Sequence, residues 1–188
     1  MRKLLFASLL VAASFAHAAI DIAGVKFEDK ARLGQTELAL NGAGLRSRLI
    51  FKVYAMALYL PQPKHDAEAV LAATGAKQIR IVTLRELPAE DFADALVQGI
   101  RKNHSDAESE PLKARIETFR TTMLALKTAA KGAVIQIDWL PESGTRLVVN
   151  GEKRGEDIQG EDFYRALLKI WLGQKPAQDE LKEALLGK

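Results

Sequence analysis

Apolar and polar positions change period several times along the chain, and each change marks an element. Ile20 to Phe27 alternates loosely and predicts a first strand. Thr36 to Leu40 predicts a second, closed by Asn41-Gly42, a strong turn pair. Leu45 to Leu60 predicts one long strand or a bent pair. From Val53 to Leu60 nearly every position is apolar, as in a strand covered on both faces. Pro61 and Pro63 end it. Asp66 to Ala73 predicts a short helix capped by Asp66, and Ile79 to Leu84 another strand.

The middle of the chain takes a helical period. Pro88 suits a helix start, and Phe92, Leu96, Ile100 and Asn103 then follow along one face. Ser109-Glu110-Pro111 is expected to open a second helix with apolar positions Leu112, Ile116, Phe119, Met123 and Leu126, ended by Gly132. Strands return at Ala133 to Trp139 and Thr145 to Val149, joined by the turn Pro141-Glu142-Ser143-Gly144. Asn150-Gly151 makes a further turn. Two helices, about Glu161 to Leu172 and Gln178 to Leu186, close the chain. No repeat or linker interrupts residues 19–188. This order predicts one α+β domain, with a helical layer on one face of a large antiparallel sheet.

The first 18 residues follow a different rule. Arg2 and Lys3 precede a short apolar run, Leu4 to Phe15, and Ala16-His17-Ala18 has the small-x-small form of a cleavage site. Residues 1–18 are expected to be a signal peptide, which leaves a domain over 19–188 in the periplasm with no transmembrane anchor. The chain contains 27 basic and 24 acidic residues. Without Arg2 and Lys3 the balance is nearly neutral, so the basic precursor carries no nucleic-acid footprint. There is no cysteine. Disulfides and a lipid anchor on cysteine are thereby excluded, and stability must come from a core.

Most candidate chemistry is weak. His65 and His104 lack a second ligand at metal spacing. His104-Ser105-Asp106 holds the three triad residue types, but adjacent side chains cannot assemble that geometry, and the segment reads as a polar loop. Gly42-Ala43-Gly44 opens like a dinucleotide fingerprint, yet Ser47 stands where the third glycine belongs and no helix follows, so it reads as a turn. Glu90, Asp91 and Asp94 favour the dipole at the start of their helix. Phe163, Leu167, Ile170 and Trp171 form an apolar face that reads as core. No metal and no cofactor is expected.

The cationic cluster Arg46, Arg48, Lys52 stands beside an apolar strand. In one extended strand these residues and Tyr54 share a face. The face is either solvated surface or an anion site, because guanidinium matches a carboxylate bidentately and a tyrosine hydroxyl completes the grip. Along a straight strand Arg46 and Tyr54 would stand about 27 Å apart, so one headgroup reaches both only across a bend or bulge.

Asn41-Gly42-Ala43-Gly44-Leu45-Arg46, the run Phe51 to Pro61, and the ending from Phe163 through Leu172-Gly173 and Pro176 to Gly187 resemble the chalcone isomerase family, in its bacterial, exported, chalcone isomerase-like branch. The resemblance implies an open-faced β-sandwich in which helices and a large antiparallel sheet enclose a cleft. Plant members cyclise chalcones with an arginine that guides the phenolate and with threonine, tyrosine, asparagine and a second threonine. Those positions fall here on Arg46, Tyr54, Phe92, Gly99 and Ile170. Phe92, Gly99 and Ile170 supply no donor for a developing enolate, so the chalcone reaction is not expected. The family also includes fatty-acid-binding members that keep an arginine and a tyrosine for a carboxylate. The resemblance thus implies a small apolar anionic ligand such as a fatty acid, held by Arg46 and Tyr54 with Phe92, Leu96 and Ile170 along the acyl chain. Two alternatives are an isomerase or lyase using Arg46 and Tyr54, and a protein-interaction module with an unknown partner.

Overall fold

Seven strands build one antiparallel sheet in a computed structural model that describes residues 19–188, so the expected signal peptide lies outside the described residues. The strands are β3 (Lys30–Leu33), β4 (Thr36–Arg48), β5 (Phe51–Leu60), β6 (Lys77–Thr83), β9 (Val134–Leu140), β10 (Gly144–Val149) and β11 (Glu152–Ile158). Their order is β11-β10-β9-β6-β5-β4-β3. Ahead of the sheet, β1 (Ile20–Ile22) and β2 (Val25–Phe27) form a small hairpin, and β7 (Leu87–Pro88) pairs with β8 (Thr128–Ala129). The helices are α1 (Ala67–Leu71), α2 (Ala89–Lys102), α3 (Asp106–Ser109), α4 (Lys113–Leu124), α5 (Glu161–Leu172) and α6 (Asp179–Leu185).

Strand β5 is central and explains its own composition. Tyr54, Met56, Leu58 and Leu60 face the core that contains the buried residues of α1, α2, α4, α5 and α6. Ala55, Ala57 and Tyr59 face a second, smaller core with Phe27, Leu33 and Leu38. Both faces are dry, so the run is apolar throughout. The helices thus share one face of the sheet, as the α+β reading requires.

Local signals hold where local chemistry decides. Asp66 caps α1 by accepting from the Ala69 amide at 2.9 Å. Pro88 precedes α2, and Phe92, Leu96 and Ile100 are all buried. The turn before Gly144, the turn at Asn150-Gly151 and helices α5 and α6 also stand where expected.

Four expectations need correction. Ile20 to Phe27 is a hairpin, because Ala23 and Gly24 take φ of 55° and 86° and reverse the chain. The second middle helix starts earlier and stops sooner. Ser105 caps α3 in a reciprocal capping box with Glu108, a 3₁₀ turn follows at Glu110–Leu112, and α4 ends at Leu124. His104-Ser105-Asp106 is therefore a helix start rather than a plain loop. Strand β11, rich in charged residues along an edge, carries no apolar alternation to announce it.

The largest correction concerns Asn41-Gly42. The chain does not turn there. Strand β4 runs through this pair to Arg48, with a register shift between Leu40 and Gly42. Asn41 is buried, and its side-chain amide donates to the carbonyls of Leu185 at 2.7 Å and Lys64 at 3.0 Å while its oxygen accepts from the Lys64 amide at 2.6 Å. A Cβ on Gly42 would run into the Ala184 carbonyl, and one on Gly44 would come within 2.7 Å of the Ala184 Cβ. The glycines are there so that α6 can lie on the strand, and the fingerprint-like spacing is a by-product of that packing.

Candidate functional site: a cleft at the head of the β4–β5 hairpin

The reversal falls at Leu49-Ile50, between the paired residues Arg48 and Phe51. Folding the strand there sets Arg46 directly opposite Tyr54. A second register shift, between Arg46 and Ser47, re-aims the arginine. The bend that a shared headgroup requires is thus a hairpin.

Tyr54 is buried and fixed from two sides. The indole Nε1 of Trp171, on α5, donates to its hydroxyl at 2.9 Å. Its ring packs against Phe92 of α2 with centroids 6.1 Å apart. Burial pushes the Tyr54 hydroxyl above its ordinary value of 10.0, with the Trp171 hydrogen bond and the Arg46 charge pulling the other way. The group therefore stays protonated at neutral pH. Trp171 occupies an acceptor position on the oxygen, which leaves the hydroxyl proton free to donate.

Arg46 is half-buried. Its Nη1 donates to the Ser47 carbonyl and, at 3.2 Å, to Oε1 of Gln178, the residue that precedes α6. The same amide oxygen accepts from the Ser47 backbone at 2.9 Å. Gln178 therefore orients the guanidinium without neutralising it. Among the described residues no carboxylate forms an ion pair with Arg46.

Arg46 and Tyr54 border a cleft of about 510 Å³. Its inner wall is Tyr54, Phe92, Leu96 and Ile170, all buried, with Val53 and Ala177 beside them. Its outer rim is Arg48, Leu49, Phe51 and Arg85, with Glu86 and Asp91 as the acidic members. All five residues singled out from sequence, Arg46, Tyr54, Phe92, Leu96 and Ile170, meet in this one cleft. The sequence marks Trp171 only as core and singles out neither Gln178 nor Arg85. Trp171 is separated from Tyr54 by 117 positions, and only a contact across the fold reveals its role. No three His, Asp or Glu side chains converge as metal ligands among the described residues.

A model of the chalcone isomerase-like family matches residues 19–187. The chain belongs to the chalcone isomerase-like family. Among solved structures, a fatty-acid binding protein of Arabidopsis thaliana superposes with a TM-score of 0.67 over 90% of this chain and 96% of its own, at 16% identity, a likeness of fold. No curated protein matches the chain in sequence.

Within this chalcone isomerase-like fold, the positions matched by resemblance to the plant donors differ in what they touch. Gly99 of α2 does not line the cleft. It lies against Ile170 of α5, where a Cβ would come within 2.7 Å of Ile170 Cγ2. Gly99 and Ile170, the positions matched by resemblance to the asparagine and the second threonine, thus meet in one helix-to-helix contact. Phe92 presents only a ring. What remains polar on the inner side is the guanidinium and the hydroxyl.

Proposed function

We propose that this protein binds a small apolar carboxylate of the fatty-acid class and releases it unchanged. The observation that carries this reading is a guanidinium that pairs with no carboxylate among the described residues, facing a buried tyrosine hydroxyl across one hairpin, in a cleft whose inner wall is otherwise apolar. A carboxylate accepts two parallel bonds from the guanidinium and a third from the hydroxyl. An acyl chain then lies along Phe92, Leu96 and Ile170. The volume falls within the range of about 300–1,000 Å³ usual for small-molecule sites. Fatty-acid binding by the Arabidopsis neighbour of the same fold supports the ligand class.

Catalysis by Arg46 and Tyr54 is the weaker reading. A hydroxyl that burial keeps protonated is no general base at neutral pH. We further propose that the protein acts in the periplasm, on the support of the leader-like pattern in residues 1–18 and the cleavage form at Ala16-His17-Ala18.

Native mass spectrometry of protein purified from the periplasm tests both proposals. The expected species begins at Ala19 and carries an excess mass matching a fatty acid, which Arg46→Ala loses. A chain that begins at Met1 overturns the export proposal. Failure to bind fatty acids of any length on titration overturns the ligand.

A further inference from the structure

The tip of the β4–β5 hairpin breaks the usual chemistry of a turn. Two-residue hairpin turns favour Asn, Asp and Gly, which accept positive φ readily. Here the turn residues are Leu49 and Ile50, 93% and 89% exposed, and Leu49 holds φ of 55°. Phe51 beside them is also exposed. These three side chains form one apolar prong in water. Four cations stand near it, with the acidic Glu86 and Asp91 on the same cleft rim. Arg46, Arg48 and Lys52 lie on the two strands, and the Arg85 guanidinium sits 5.3 Å from the centre of the Phe51 ring. Among the described residues none of these four forms an ion pair.

We propose that this tip docks the protein on an anionic lipid bilayer. Leu49, Ile50 and Phe51 enter the boundary between headgroups and acyl chains, while Arg48, Lys52 and Arg85 meet lipid phosphates. An apolar prong with basic neighbours suits that boundary, because long cationic side chains reach the headgroups while their stems stay apolar. Anionic lipid supplies the complementary charge. A stable protein interface needs about 800 Å² from each partner, far more than one two-residue turn presents. The proposed contact is at the bilayer surface, and no helix among the described residues is long and apolar enough to cross a membrane.

The location of the tip gives docking a consequence. Arg48, Leu49 and Phe51 also form the rim of the cleft. A bilayer seated on them covers the mouth, so an acyl chain passes between bilayer and cleft without crossing bulk water. That passage rests on the fatty-acid reading above. The docking does not.

Flotation of the purified protein with vesicles tests the proposal. One set contains phosphatidylcholine alone and the other includes phosphatidylglycerol. The protein should float with the anionic set, partition about tenfold less onto the neutral set, and be released by salt. Leu49→Ser with Ile50→Ser, and separately Arg48→Glu with Lys52→Glu, should each reduce partition by about tenfold at an unchanged melting temperature. Every variant carries the same N-terminus, so any contribution from residues 1–18 cancels. Because the chain has no cysteine, a polarity-sensitive dye on Ile50→Cys reports the tip alone. It should shift to the blue on anionic vesicles, whereas the same dye on Glu142→Cys, in the turn at the far end of the sheet, should not. Flotation that survives both double substitutions, or a dye at position 50 that stays in water, overturns the proposal. So does a protein that floats with neither set, which would leave the tip to a protein partner. Titration with fatty acid in vesicle-free buffer reads the cleft separately, so loss of titration with retained flotation removes the ligand and leaves the docking.

Discussion

Arg46 and Tyr54 stand directly opposite each other across the β4–β5 hairpin, and Trp171 from α5 holds the tyrosine hydroxyl at 2.9 Å. One strand thus supplies a fixed charge and its neighbour a fixed donor. Both are oriented from the C-terminal part of the chain, the tyrosine by Trp171 of α5 and the guanidinium by Gln178 just before α6.

Removing the charge should weaken binding without unfolding the protein. Arg46→Ala is expected to cost about 1.5–3 kcal/mol of fatty-acid affinity, the range for a hydrogen bond to a charged group. Arg46→Lys should also lose affinity, because an ammonium does not reproduce the planar fork. Lys52→Ala, which does not line the cleft, should titrate normally in vesicle-free buffer. Titration calorimetry with melting curves alongside separates the cases. An Arg46→Ala variant that binds normally but melts early would make the arginine a structural residue.

Tyr54 and Trp171 should behave as a coupled pair. Tyr54→Phe leaves the buried indole donor unsatisfied, and Trp171→Phe removes the donor. Each should destabilise the fold by about 1–3 kcal/mol. The double variant should cost less than the sum, because the lost hydrogen bond is counted once and no indole donor is left orphaned. Denaturant unfolding of the four proteins measures the coupling, and strict additivity would show that the hydrogen bond contributes nothing.

Chalcone cyclisation should proceed at the spontaneous rate in the presence of excess protein. The inner wall keeps Arg46 and Tyr54, but Phe92, Gly99 and Ile170 supply none of the further donors that hold a developing enolate. Gly99→Asn should not restore them, since its Cβ would press on Ile170, and should instead lower stability by about 1–3 kcal/mol. Chalcone absorbance reports the first outcome and thermal melting the second. Stereoselective flavanone formation above background would refute the assignment of these positions.

Asp138 predicts a pH dependence far from the cleft. It is buried, and although Gln78 donates to it at 2.9 Å, burial pushes its carboxyl up from 3.8 to about 6. A raised carboxylate opposes folding once it is ionised. Its contribution should therefore worsen as pH rises from about 4 to 6 and then level off, by at most about 3 kcal/mol. Asp138→Asn should stabilise the protein at neutral pH and make no difference near pH 4. A variant less stable than the parent at neutral pH would show that the charge is used. Asp157 works in the opposite sense. Its hydrogen bond from Arg146 holds it well below the usual range, and that stabilisation is lost as pH falls below 3.8.

What local chemistry governs could be read from the chain itself. Asp66 caps a helix because its carboxylate accepts an amide three positions on. Phe92, Leu96 and Ile100 mark a buried face because helical spacing aligns them. The apolar run of β5 announces a strand with two dry faces. Together with the resemblance carried by Asn41 to Arg46, Phe51 to Pro61 and the C-terminal run, these signals were enough for the fold and for the five residues that meet in the cleft. Tertiary structure decided where the chain reverses. Asn41-Gly42 has the better local turn chemistry, but Asn41 is committed to Leu185 and Lys64, and Gly42 to the close approach of α6. The turn moves to Leu49-Ile50, and that displacement sets Arg46 against Tyr54. Asn41 meets Lys64 from 23 positions away and Leu185 from 144, and Tyr54 meets Trp171 from 117, so no local pattern records these contacts.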